Sequence, residues 1–64
     1  MNLRSIIAKD LQYNDHLYID SISGIEEIGV VGVVDVHPDG AVAVKVAESV
    51  MAFMAEDRVH IHRP

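Results

Sequence analysis

The stretch from Gly29 to Ala47, GVVGVVDVHPDGAVAVKVA, constrains this chain more than any other, because it reads as two strands turned back on each other at His37-Pro38-Asp39-Gly40. Valine dominates both arms, and its branched Cβ suits a pleated, half-buried surface better than a helix. Pro38 presets φ at the first corner, Asp39 accepts a helical-like corner, and Gly40 can take the left-handed conformation of a three-residue hairpin loop with a bulge. In the second arm Val42, Val44 and Val46 alternate with Ala41, Ala43, Lys45 and Ala47, so the valine face is read as core. In the first arm Val30, Val34 and Val36 share a face with Gly32, while Val31 and Val33 point the other way with Asp35 and His37. Gly32 marks a bulge or a close crossing by another backbone.

Two apolar faces need two coverings, and the chain is short. With 64 residues it makes one domain over 1–64, since a chain of this size buries only about 60% of its unfolded surface and cannot support two cores. It has no cysteine, which excludes disulfides and thiolate metal sites and leaves tight packing or self-association as sources of stability.

The flanks add shorter elements. Leu3, Ile6 and Ile7 suit a short first strand, Ala8 to Leu11 a helical turn, and the polar run Gln12 to Asp15 a chain reversal. From His16 to Ile22, Leu17 and Ile19 face one way and His16, Tyr18 and Asp20 the other, as in a half-buried strand. Ser21 to Glu27 reads as a solvated loop, and Val59 to Arg63 as a closing strand with Val59 and Ile61 opposed to His60 and His62. Ala47 to Arg58 has two readings. Its alanines, methionines and glutamates favour a helix that would align Val46, Val50, Phe53 and Met54. As a strand it sets Val50, Ala52 and Met54 against Met51, Phe53 and Ala55.

With the strand reading, segments near 16–22, 28–37, 41–47, 49–55 and 59–63 give an all-β, mainly antiparallel fold of five strands in meander order, for which a small barrel removes most exposed edges. The helical reading gives an α+β fold with a helix at 47–57. Lys9-Asp10-Leu11 with Asn14-Asp15-His16-Leu17, the bent hairpin, and the turn Glu56-Asp57-Arg58 before Val59-His60-Ile61 carry a resemblance to SH3-like barrels. Over most of its length the chain resembles the small stand-alone SH3-like proteins encoded by actinobacterial phages. That resemblance implies a binding module with its ligand left open. Its aromatic residues are only Tyr13, Tyr18 and Phe53, too few for the aromatic groove with which such barrels bind proline-rich peptides.

Charge and motifs narrow the chemistry. A formal charge of −5, with five basic residues scattered along the chain, supplies little phosphate neutralisation, so a protein partner is expected ahead of nucleic acid. No run of about twenty apolar residues and no charged-then-apolar leader is present, which points to a cytoplasmic protein without a membrane span. His60 and His62, two apart on a strand, project to one face and could share Zn²⁺ or Ni²⁺ with His37, His16 or a carboxylate; the alternative is a solvent-facing pair on a terminal strand. Glu26-Glu27 and Glu56-Asp57 are adjacent pairs, which diverge on a strand and are solvated in a loop. No serine sits in a nucleophile elbow and no glycine pattern matches a phosphate loop, so neither an enzyme nor a cofactor is expected.

If Val30, Val34, Val36, Val42, Val44, Val46, Leu17 and Ile19 fill the interior, then Val31, Val33, Met51 and Phe53 remain outside unless Leu3, Ile6 and Ile7 cover them. The expected function is therefore a non-enzymatic protein-interaction module, self-associating or bound to another protein, through Val31, Val33, Met51 and Phe53.

Overall fold

The computed structural model of the chain describes residues 2–64; Met1 lies outside the described residues. Among the described residues six strands occur in chain order: β1 (Arg4–Ile7), β2 (His16–Ser21), β3 (Gly24–Val36), β4 (Ala41–Val46), β5 (Ser49–Met54) and β6 (Arg58–His62), with one 3-10 turn at Ala8–Asp10 after β1. They form one antiparallel sheet in the order β1-β6-β2-β3-β4-β5.

β3 joins the two halves of this sheet. Its first part pairs with β2, its second with β4. Two irregularities bend it, one opposite Leu17 and Tyr18 and one between Val31 and Val33. Bending brings the inner faces together, so Leu17, Val59 and Ile61 from one half and Val31, Val42, Val44 and Val46 from the other join Ala8 and Leu11 in one buried cluster. Gly29 allows this approach. A Cβ built there would lie 2.9 Å from Val46 Cγ1, and its φ is +155°, a combination open to glycine alone. At the β3–β4 turn Gly40 takes φ +94°, and the His37 N–H donates to the Ala41 carbonyl at 2.8 Å.

Several expectations are corrected. There are six strands instead of five, and the sheet does not close into a barrel: β1 and β5 remain its two edges. The 3-10 turn links these edges at one corner, where the Ala8 N–H donates to the Asp57 carbonyl (2.8 Å) and the Lys9 N–H to the Ala55 carbonyl (3.2 Å). The helix at 47–57 is overturned, because Ser49–Met54 pairs with β4 along its whole length after the two-residue turn Ala47-Glu48. Pairing and packing outweigh helix propensity there. The solvated loop at 21–27 shrinks to the turn Ile22-Ser23, and β3 begins at Gly24.

The expected interior is also corrected. Val31 is 0% exposed, whereas Val30, Val36 and Ile19 are exposed. The bulge at Gly32 accounts for Val30 and Val31; Val36 keeps the inner side opposite Val42 but lies at the end of β3, where it is 56% exposed. Val31 pairs with Val46, but Val34 pairs with Val44 and Val36 with Val42, so the extra residue switches the inward positions of β3 from odd to even numbers.

Candidate functional site

The residues expected to form an interface do not lie together. Val31 is in the core, and Met51 and Phe53 are half-buried against it, while Val33 on the opposite face is 50% exposed. Cross-strand partners share a face, so Met51 opposite Val44 and Phe53 opposite Val42 must point inward.

That same pairing puts a different set outside. Val33 lies beside Lys45, which lies beside Val50; Asp35, Ala43 and Ala52 form the next row; Ala41 and Met54 the third. Val50 is 71% exposed and Met54 56%. The outer face of β3, β4 and β5 is thus a floor of alanines rimmed by Val33, Val50 and Met54, with Lys45 and Asp35 as its charged positions. Val50 and Met54 were missed from the sequence, which placed Met51 and Phe53 outside instead; the turn length after Val46 is the signal that would have found them. With Val46 inside and a two-residue turn after it, Ser49, Met51 and Phe53 follow inward and Val50, Ala52 and Met54 outward. A second exposed apolar group, Ile22 with Ile25, marks the tip of the β2–β3 hairpin.

The histidines occupy the outer face of the other half. On β6, Val59 and Ile61 are buried, which turns His60 and His62 outward. His62 is opposite His16, and their rings meet edge to face with centroids 5.9 Å apart. His16 Nδ1 lies 3.2 Å from Glu27 Oε1, and His60 Nε2 lies 3.6 Å from Asp20 Oδ2. His16, and the Tyr18 hydroxyl after it, hold the Glu27 carboxyl below its ordinary value. Burial, and then Glu27, push the Tyr18 phenol up. His37 is remote in sheet order, at the β3–β4 turn. Among the described residues no group of three or more histidines and carboxylates is placed to hold a metal ion. His60 and His62 are therefore drawn into separate pairs, with Asp20 and His16.

The carboxylate pairs separate likewise. Glu26 is opposite Ile19 and Glu27 opposite Tyr18; Glu56 lies 3.7 Å from Lys9, and Asp57 accepts a hydrogen bond from the Met54 N–H at 2.9 Å. No pocket is found on the described surface, and no described helix is long and apolar enough to cross a membrane. Comparison with protein-family models, curated proteins and solved structures found no match to this chain.

Proposed function

We propose that this chain is a non-enzymatic protein-interaction module that binds through the outer face of β3, β4 and β5. One observation carries the reading: Val33, Val50 and Met54, all at least half exposed, border a continuous floor of Ala41, Ala43 and Ala52. Small residues let another backbone or side chain approach closely, and an apolar patch with few charges is the usual core of a protein contact. The formal charge of −5 favours a protein partner over nucleic acid, whose affinity depends on cationic side chains. The bent β3 shared by two packed sheet halves supports reading the fold as an open relative of SH3-like domains, with the contact on an outer sheet face instead of an aromatic groove.

The test is a pair of charged substitutions, Val33→Glu with Met54→Glu, on positions outside the core. The immobilised wild-type chain should retain a protein from a lysate of its source that the double variant fails to retain, both having the same β circular-dichroism spectrum. Equal retention by both would remove this face from the reading.

A further inference from the structure

The two sheet edges are treated differently by the sequence. On β1 the outward backbone groups belong to Ser5 and Ile7, since the Ala8–Asp57 bond continues the register in which Ile6 faces Val59 and Arg4 faces Ile61. Arg58 Nη1 donates to the Ser5 carbonyl at 3.4 Å, and Arg4 adds charge to the strand. Charge and a blocking side chain are common protections of an edge. β5, with sequence SVMAFM, carries no charge and no proline.

Its hydrogen-bond parity follows from one bond. The Ala55 N–H donates to the Gly40 carbonyl at 2.7 Å, and this continues the β4–β5 register, so Phe53, Met51 and Ser49 direct their backbone groups to β4. Val50, Ala52 and Met54 direct theirs away from the sheet. Met54 is already satisfied, its N–H donating to Asp57 Oδ2 (2.9 Å) and its carbonyl accepting from the Asp57 N–H (3.0 Å). Val50 and Ala52 have no such caps among the described residues, which leaves two donors and two acceptors on an apolar edge.

We infer that β5 pairs antiparallel with β5 of a second copy of this chain, about a two-fold axis through Met51. In that register Val50 faces the partner's Ala52 and Ala52 faces the partner's Val50. Each pair exchanges two hydrogen bonds, and all open groups on both edges are satisfied. Neighbouring registers do less. Centring on Ala52 calls on the Met54 groups that Asp57 already holds and sets Glu48 against the partner's Glu56. Centring on Val50 calls on Glu48, which lies in the turn. An odd shift would oppose inward and outward side chains. The second copy is the occupant favoured because the edge is complementary to itself, and pairing makes a twelve-stranded sheet from two six-stranded ones.

This inference rests on the proposed interaction role and names its partner, but it uses the edge where that role uses the face. Light scattering on a gel-filtration column should show the mass rising with concentration from 7.0 kDa toward twice that value. Ala52→Pro removes an outward N–H without touching the β4 ladder, and should hold the mass at that of one chain with its β spectrum retained. Ser5→Pro, the same change on the β1 edge, should leave the dimer intact. Met51→Cys supplies the only thiol in the chain and places it on the axis, so mild oxidation should give a disulfide-linked dimer. A single-chain mass at every concentration would overturn the inference, as would an Ala52→Pro variant that still dimerises. If Ala52→Pro fails to fold, absence of the Met51→Cys crosslink overturns it. A dimer broken by Val33→Glu with Met54→Glu but not by Ala52→Pro would keep the face and discard the edge.

Discussion

Arg63 grips Asp15 with two parallel hydrogen bonds, Nε to Oδ1 at 2.8 Å and Nη2 to Oδ2 at 2.9 Å. Asp15 is 1% exposed and also accepts from the Gln12 N–H at 2.9 Å. The pair therefore ties the last residues after β6 to the turn before β2, across 48 positions of sequence. Arg63→Ala should destabilise the fold by roughly 1.5–3 kcal/mol, the usual range for charge-assisted bonds to a buried partner. A lower urea midpoint with unchanged slope would show it; an unchanged midpoint would mean that water replaces the guanidinium at no cost.

The same pair sets an acid limit. Burial by itself would raise the Asp15 carboxyl, but the bonds from Arg63 and the Gln12 N–H, with the charges of Arg63 and Arg4, outweigh it and hold the group below its ordinary value. A lowered folded value means that the unfolded chain takes up the proton first as pH falls. The contribution is therefore complete above the unfolded carboxylate value of about 3.9 and is lost as pH falls through the lowered folded value. Asp15→Asn should be less stable than wild type at neutral pH, and the gap should close on acidification. Urea unfolding at a series of pH values reads this directly; a gap that stays constant would show that Asp15 ionisation contributes nothing.

Gly29 and Gly32 lie three residues apart on β3 and should respond to alanine to very different degrees. At Gly29 the new Cβ would sit 2.9 Å from Val46 Cγ1 in a backbone with φ +155°, whereas at Gly32 the nearest atom is the Lys45 carbonyl oxygen at 3.7 Å, an ordinary contact. Gly29→Ala should cost about 1–3 kcal/mol through overpacking and backbone strain. Gly32→Ala should change stability by less than about 1 kcal/mol. Thermal unfolding of the two variants side by side separates them.

These two glycines also show where the sequence was legible. The hairpin about Pro38-Asp39-Gly40 and the inward set Val42, Val44 and Val46 could be read because turn chemistry and strict alternation agree there. Gly32 could be read as a bulge, but its effect on phase could not, because an extra residue reverses alternation only on one side of itself. Val31 consequently moved from the outer face to the core, and Met51 and Phe53 followed once pairing with β4 fixed their side. Gly29 was hidden among valines, since its need for a missing Cβ comes from Val46, seventeen residues away. Asp15 and Arg63 gave no local signal at all.

Ala47 holds a conformation that suits another residue. Its φ is +54° in the turn between β4 and β5, and the left-handed region costs a residue with a Cβ roughly 1–2 kcal/mol. Asparagine tolerates this region, and glycine enters it freely while losing more entropy on folding. Ala47→Asn or Ala47→Gly should stabilise the chain by about 0.5–1 kcal/mol, seen as a melting temperature higher by roughly 2–8 °C for a domain of this size. A decrease with both would mean that the Ala47 methyl contributes packing that outweighs the strain.

Val31 and Val33 decide which face is the core and which is the contact surface. They are two residues apart, and unbroken alternation would put both on one side; the structure gives 0% exposure for Val31 and 50% for Val33. Val31→Ala removes two buried methyl groups and should cost roughly 1.5–3 kcal/mol. Val33→Ala should stay within about 0.5 kcal/mol of wild type, because its side chain ends in solvent beside Lys45. The functional effects should run the other way. If the outer face binds, Val33→Ala weakens association at unchanged stability, whereas Val31→Ala lowers stability and weakens association only as folding is lost. Measuring both quantities on both variants distinguishes this arrangement from one in which the two valines share a face, where the four results would move together.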